Sequence, residues 1–252
     1  MEIICLASSS AGNAYVVRNE KHAILLEAGI DFRLLKTRLL DHRIVLTALG
    51  AVAITHSHGD HSRASEKVSR FMPVIASEAT LKNIKVLPNR GYPLNEWQIV
   101  YIGSFELTGF FVPHDCDGAM GFIIHDRLND EKLIFVNDAN MVIYHFKESF
   151  DYIMIECNHV NDILISNADD RAIRVAKSHM SLETLKIVLA KSINNFSRTK
   201  AIYLMHLSDG NSDQNRMIKE IEKQTGVPTY ACLKNGGVTS GRRVCQTVSK
   251  AP

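Results

Sequence analysis

The chain has no apolar run approaching the roughly 18 residues that suggest a membrane-spanning helix. Its five cysteines, Cys5, Cys116, Cys157, Cys232 and Cys245, are odd in number, scattered, and never spaced Cys-x-x-Cys. That excludes a disulfide framework and a thiolate zinc knuckle. The opening MEIICLASSSAGN lacks the basic and long apolar regions of a secretory signal, so the expected compartment is the cytoplasm, or that of a host cell. A dominant charge sign is missing too: 29 Lys and Arg face 27 Asp and Glu, for a net +2. A strongly basic nucleic-acid binder is therefore not indicated. With 46% hydrophobic and 22% charged residues, the composition is that of an ordinary globular protein able to bury a sizeable core. What the chain does have is histidine, 11 in all, a supply of metal ligands and proton carriers.

Short apolar segments open the chain at 3–7, 14–17 and 23–27, punctuated by Gly12-Asn13 and Asn19-Glu20, and predict a β-meander. Helical spacing of Phe32, Leu35, Leu39 and Leu40 predicts a helix over 31–42. A buried strand at 51–55 leads into a polar loop, followed by a helix over 62–71, a strand at 73–76 and a short helix from Ser77. Strands are expected again at 98–102, 106–112, 121–125 and 132–136. The later part alternates: strand 152–156, helices near 168–177 and 181–194, strand 201–205, helix 213–224 and strand 228–232. Meander followed by β-α units, twice over, predicts an α/β architecture of two mixed sheets packed face to face with helices outside. The tail from Lys223 carries five basic residues and no acidic one.

The strongest signal is Ile54-Thr55-His56-Ser57-His58-Gly59-Asp60-His61, three imidazoles and a carboxylate directly after an apolar strand. Imidazole nitrogen and carboxylate oxygen suit zinc and related divalent ions. In a turn, His56 and His58 can face one metal while Asp60 and His61 face another.

This His-x-His-x-Asp-His string resembles the hallmark of the metallo-β-lactamase superfamily. The resemblance spans nearly the whole chain, because further ligand-type residues follow in that family's order after strands: Pro113-His114-Asp115, Val136-Asn137-Asp138 and Met205-His206-Leu207. It implies a single domain over 1–252 with a four-layer αββα sandwich and metals at one edge. By that match His56, His58 and His114 would hold one ion, and Asp60, His61 and His206 a second, with Asp138 bridging. The two ions would be Zn²⁺, with Mn²⁺ or Fe²⁺ as other candidates. One position departs from the pattern: where the family commonly has Asp-x-Gly bracing the histidine loop, this chain has Glu27-Ala28-Gly29. A longer carboxylate could still act behind the ligands.

The bridging aspartate and the complete ligand set point to phosphodiester-cleaving branches. Ser8-Ser9-Ser10-Ala11-Gly12-Asn13, Glu156-Cys157-Asn158-His159, Ser178-His179-Met180-Ser181 and His206-Leu207-Ser208 resemble strings of the bacterial cell-wall-regulon-linked exonucleases. The anti-Pycsar phosphodiesterases of phages and bacteria, which hydrolyse cyclic mononucleotides such as cyclic CMP and cyclic UMP, share this frame. The resemblance implies His179 as the proton donor to the leaving oxygen. Asp60 would be both ligand and orienter of the nucleophile, with His159, Asn13 and Ser208 near the substrate. Near-neutral charge favours a small cyclic nucleotide over a long polyanion. A DNA exonuclease is the alternative, and an inactive nucleotide-sequestering module the alternative of another class. A homodimer is expected from the resembled families, and no membrane partner.

Overall fold

The computed structural model describes residues 1–167 and 172–237. Its first half forms a six-stranded sheet in chain order: β1 (Glu2–Ala7), β2 (Ala14–Arg18), β3 (Ala23–Leu26), β4 (Leu49–Ala53), β5 (Val74–Ala76) and β6 (Gly91–Pro93). The second sheet runs, from one edge to the other, through β7 (Ile99–Ile102), β8 (Phe105–Phe111), β9 (Met120–Asp126), β10 (Glu131–Val136), β11 (Tyr152–Glu156), β12 (Ala201–Met205) and β13 (Thr229–Ala231). Each sheet starts antiparallel and turns parallel, at β3–β4 in the first and at β10–β11 in the second. The helices are α1 (Phe32–Asp41), α2 (Gly59–Ser62), α3 (Ser65–Val68), α4 (Glu78–Asn83), α5 (Asn161–Ser166), α6 (Ala172–Ser178), α7 (Leu182–Lys191) and α8 (Gln214–Thr225). None of them is long and apolar enough to cross a membrane.

The central strands are apolar at nearly every position because both of their faces are covered. Alternate residues sort into different cores, as a period of two requires. Ile3, Tyr15, Ile24 and Leu26 point between the sheets, where they meet Phe105, Phe122, Phe135 and Met154. Their neighbours Ile4, Val16 and Leu25 face outward, in one cluster with Leu35 and Leu39 of α1. On the far side Ile134, Ile153, Ile202 and Leu204 face outward in one cluster with Leu185 and Val188 of α7 and Met217 and Ile221 of α8. This is the expected four-layer αββα order.

Several elements differ from the sequence reading. The strand over 23–27 ends at Leu26 because Glu27 turns into the left-handed region at φ 63°. The helix over 62–71 is two short helices, since the Ala64 N–H donates to the Ala28 carbonyl at 2.8 Å. Of the helix expected near 168–177, residues 168–171 lie outside the described residues and the rest falls in α6; α5, just before it, and the edge strand β6 are additional to the sequence reading. Of the basic tail, Arg242, Arg243 and Lys250 also lie outside them.

Candidate metal centre

The parallel halves of both sheets send their carboxyl ends to one edge, a usual place for a site in an α/β protein. Glu27 follows β3, the histidine loop follows β4, Asp138 follows β10, Glu156 ends β11 and His206 follows β12. Glu27, Asp138 and His206 all adopt positive φ, of 63°, 48° and 55°. Such non-glycine backbone costs on the order of 1–3 kcal/mol per residue and persists only where surrounding contacts over-determine it. Here they do. The His206 N–H donates to Ser8 Oγ at 2.9 Å, its carbonyl accepts from Asn158 Nδ2 at 2.9 Å, and the Ala139 N–H beside Asp138 donates to Glu156 Oε2 at 2.8 Å.

The histidine loop is sewn to its surroundings through the backbone. Asp60 O accepts from the Asn13 N–H at 2.8 Å, and His61 O from the Ala28 N–H at 2.8 Å. Behind it, buried Glu27 accepts the Thr55 hydroxyl at Oε1 (2.6 Å) and the Thr55 N–H at Oε2 (3.2 Å), and Oε1 lies 3.2 Å from His61 Nδ1. The longer carboxylate thus reaches the ligand loop at two histidines, His61 directly and His56 through Thr55.

These contacts fix protons. Thr55 gives its single hydroxyl proton to Glu27, so at 2.9 Å it must accept from His56 Nδ1–H. His114 Nδ1–H donates to the Ser178 carbonyl at 3.0 Å. Both rings therefore present an unprotonated Nε2, and these nitrogens lie 3.1 Å and 3.2 Å from one His58 Nδ1. A proton on His58 could serve one neighbour but not both, whereas a cation satisfies all three lone pairs. The donors fit a divalent ion, and their far nitrogens are anchored as a metal-binding histidine requires. Cys116 Sγ joins the same group, with all four donor atoms within 4.8 Å of one another. Burial pushes the Cys116 thiol up to about 11.

A second group, adjoining the first, contains Asp60, His61, Asp138 and His206. His61 Nε2 lies 3.3 Å from Asp60 Oδ2 and 3.2 Å from Asp138 Oδ2. Asp138 Oδ1 is buried 2.9 Å from His206 Nδ1, close enough for an ion pair but out of hydrogen-bond alignment. Asp138 also reaches to 3.9 Å from His56 Nε2, which places it between the two groups. Burial opposes charge on His61, but Asp138 and then Glu27 raise the imidazole well above its ordinary range. Burial likewise opposes charge on Asp138, while His206 and His61 hold it well below the carboxylate range. Carboxylates this deeply buried require cations beside them, and the hard oxygen and imidazole donors again suit a divalent ion.

His179 lies against this group. Its ring stacks on His206 at 5.2 Å, and Nδ1 lies 2.6 Å from Glu156 Oε1. Burial works against its charge, yet the Glu156 carboxylate outweighs it and raises the imidazole to about 9. Glu156 is the residue that motif reading left without a role. Fully buried, it holds His179, the Ala139 N–H and the Met180 N–H at 3.3 Å. The available signal was a carboxylate closing an otherwise apolar strand, paired with Met205 just before His206. Ser181 accepts from the Thr184 N–H at 3.1 Å and caps α7, which fixes the loop carrying His179.

A cleft of about 310 Å³ opens over the centre, lined among others by His58, Asp60, Asp138, His179, His206 and Arg174. None of the three residues expected near the substrate lines it. Asn13 is fully buried, its amide nitrogen 3.2 Å from both His61 Nε2 and His206 Nδ1, so it braces ligand-type residues. His159 is buried with its carbonyl accepting the Leu182 N–H at 2.8 Å. Ser208 lines a separate cavity with Asp209 and Lys234. His22, His125 and His145 bond to groups away from the cleft.

The model of the β-lactamase superfamily domain matches residues 22–206. An exodeoxyribonuclease of Bacillus anthracis, YycJ, is 25% identical over 261 residues, covering 98% of this chain and 95% of its own length. The exodeoxyribonuclease WalJ of Streptococcus pneumoniae is 27% identical over 244 residues, covering 90% and 87%. The crystal structure of the metallo-β-lactamase fold protein YhfI from Bacillus subtilis superposes with a TM-score of 0.70 at 15% identity, over 94% of this chain and 98% of that one.

Proposed function

The chain belongs to the metallo-β-lactamase superfamily, and from that membership we propose that it is a metal-dependent phosphodiester hydrolase acting on small cyclic nucleotides such as cyclic CMP and cyclic UMP. One observation carries the chemistry: a buried carboxylate, Asp138, lies between two convergent donor groups, with the His179 imidazole beside it in the same cleft. Divalent ions held at such donors would supply a water that ionises near neutral pH and positive charge against the phosphoryl oxygens. The side chains supply the rest. His56, His58 and His114 would hold one ion, and Asp60, His61 and His206 another, with Asp138 placed to reach both groups. Glu27, Thr55 and Asn13 keep these rings oriented from behind. Asp60, about a fifth exposed at the cleft, accepts a hydrogen bond from the attacking water and orients it.

His179 gives the proton to the departing ribose oxygen. Glu156 engages Nδ1, which leaves Nε2 for the substrate, and the raised pKa keeps the ring protonated near neutrality. His179→Ala is expected to lower kcat by about 10²–10⁴-fold with metal content unchanged, measured by single-turnover kinetics alongside elemental analysis. Wild-type kcat in that variant would remove His179 from the reaction.

Substrate size follows from the cleft. A volume of about 310 Å³ sits at the small end of ligand sites. Among the described residues the lining offers one guanidinium, Arg174, already 3.1 Å from Asp115. Long DNA rewards many such cations. Hydrolysis of cyclic nucleotides would remove a defence signal of the host. The second reading, a DNA exonuclease, is favoured by the names of the two bacterial relatives. Parallel assays on cyclic CMP, cyclic AMP and end-labelled duplex DNA separate them: turnover of cyclic CMP supports the first reading, and cleavage of DNA alone replaces it with the second.

A further inference from the structure

The metal reading uses three imidazoles at the first position and leaves the sulfur beside them unused. Cys116 stands two residues beyond His114 on the connection between β8 and β9, half-buried. Its Sγ and the ligand-type nitrogens of His56, His58 and His114 all lie within 4.8 Å of one another. The three nitrogens converge for a reason independent of the sulfur: His56 and His114 are tied down at Nδ1 and turn bare Nε2 atoms toward His58. A cation drawn to those lone pairs therefore arrives within reach of the thiol.

We propose that Cys116 is a further protein ligand of the first metal position, through its Sγ. This rests on the metal-centre reading above. It makes the two positions chemically unlike. The first has three imidazoles and a sulfur beside the shared Asp138, while the second keeps only imidazole and carboxylate. A thiolate selects zinc, cobalt or cadmium over manganese and magnesium. The first position then holds a thiophilic ion tightly, and the second exchanges among harder ions.

The test uses full-length protein stripped of metal and loaded with Co²⁺, comparing wild type with Cys116→Ser and Cys116→Ala by electronic absorption. Wild type is expected to show visible ligand-field bands together with a near-ultraviolet sulfur-to-cobalt charge-transfer band. Both variants are expected to keep the visible bands and lose the near-ultraviolet one, and to bind Zn²⁺ about tenfold or more weakly with Mn²⁺ affinity unchanged. Visible bands without a charge-transfer band in wild type, or a band that persists in both variants, overturn the Cys116 assignment and leave the metal centre standing. No cobalt uptake by wild type overturns both.

Discussion

Asp138→Asn is expected to reduce phosphodiester hydrolysis by at least about 100-fold, the upper range for disturbing a group that supports a metal site, and to leave fewer than two ions per chain. The substitution keeps the size of the side chain and removes its charge. Asp138 Oδ2 lies 3.2 Å from His61 Nε2 and 3.9 Å from both His56 Nε2 and His179 Nδ1, and Oδ1 lies 2.9 Å from His206 Nδ1. No other side chain described in the site reaches both donor groups and His179 together. An amide at this place turns an N–H₂ group toward rings whose lone pairs the ion needs. Metal content by elemental analysis and turnover on the same sample decide it. Two ions per chain with undiminished turnover would show that Asp138 bridges nothing.

Gly29→Ala is expected to be the most damaging small substitution behind the site. A methyl group at Gly29 would sit 1.6 Å from the Asp60 carbonyl oxygen, 2.1 Å from its carbon and 2.7 Å from the His61 nitrogen. These are backbone atoms, so no rotamer change relieves the collision. The Asp60–His61 peptide is also pinned by the Asn13 and Ala28 N–H groups. Overpacking in a core typically costs 1–3 kcal/mol; with no side chain able to yield, the loss should be about 3 kcal/mol, or roughly 6–12 °C in Tm for a chain of this size. Because the displaced peptide carries two ligand-type residues, metal affinity should fall with stability. Differential scanning calorimetry with a zinc titration checks both. A variant with unchanged Tm and zinc affinity would mean that the corner at Gly29 is not what sets the loop.

The fold was legible where burial repeats along the chain. Strands such as β10, β11 and β12 are covered on both faces and read as continuous apolar runs. β6 was missed because it is three exposed residues at a sheet edge, with no pattern to show. The histidine loop and the histidines and aspartate after later strands were legible because ligand-type residues recur at strand ends in a family's order. What stands behind them was not. Glu27 works through Thr55, 28 residues away, and Glu156 through Ala139 and His179, 17 and 23 residues away. A single carboxylate carries no sign of such partners until the sheets are closed. Cys116 was read as a scattered thiol for the same reason: only folding brings it to His56 and His58.

Hydrolysis of a phosphodiester at this edge is expected to require two divalent ions. That requirement is tested most directly by stripping the protein of metal and titrating Zn²⁺ or Mn²⁺ back while following hydrolysis of cyclic CMP and duplex DNA. Stripped protein is expected to turn over neither, with recovery complete only at the second equivalent per chain. Full turnover in metal-free protein, or bound metal at two per chain with neither phosphodiester cleaved, would contradict it.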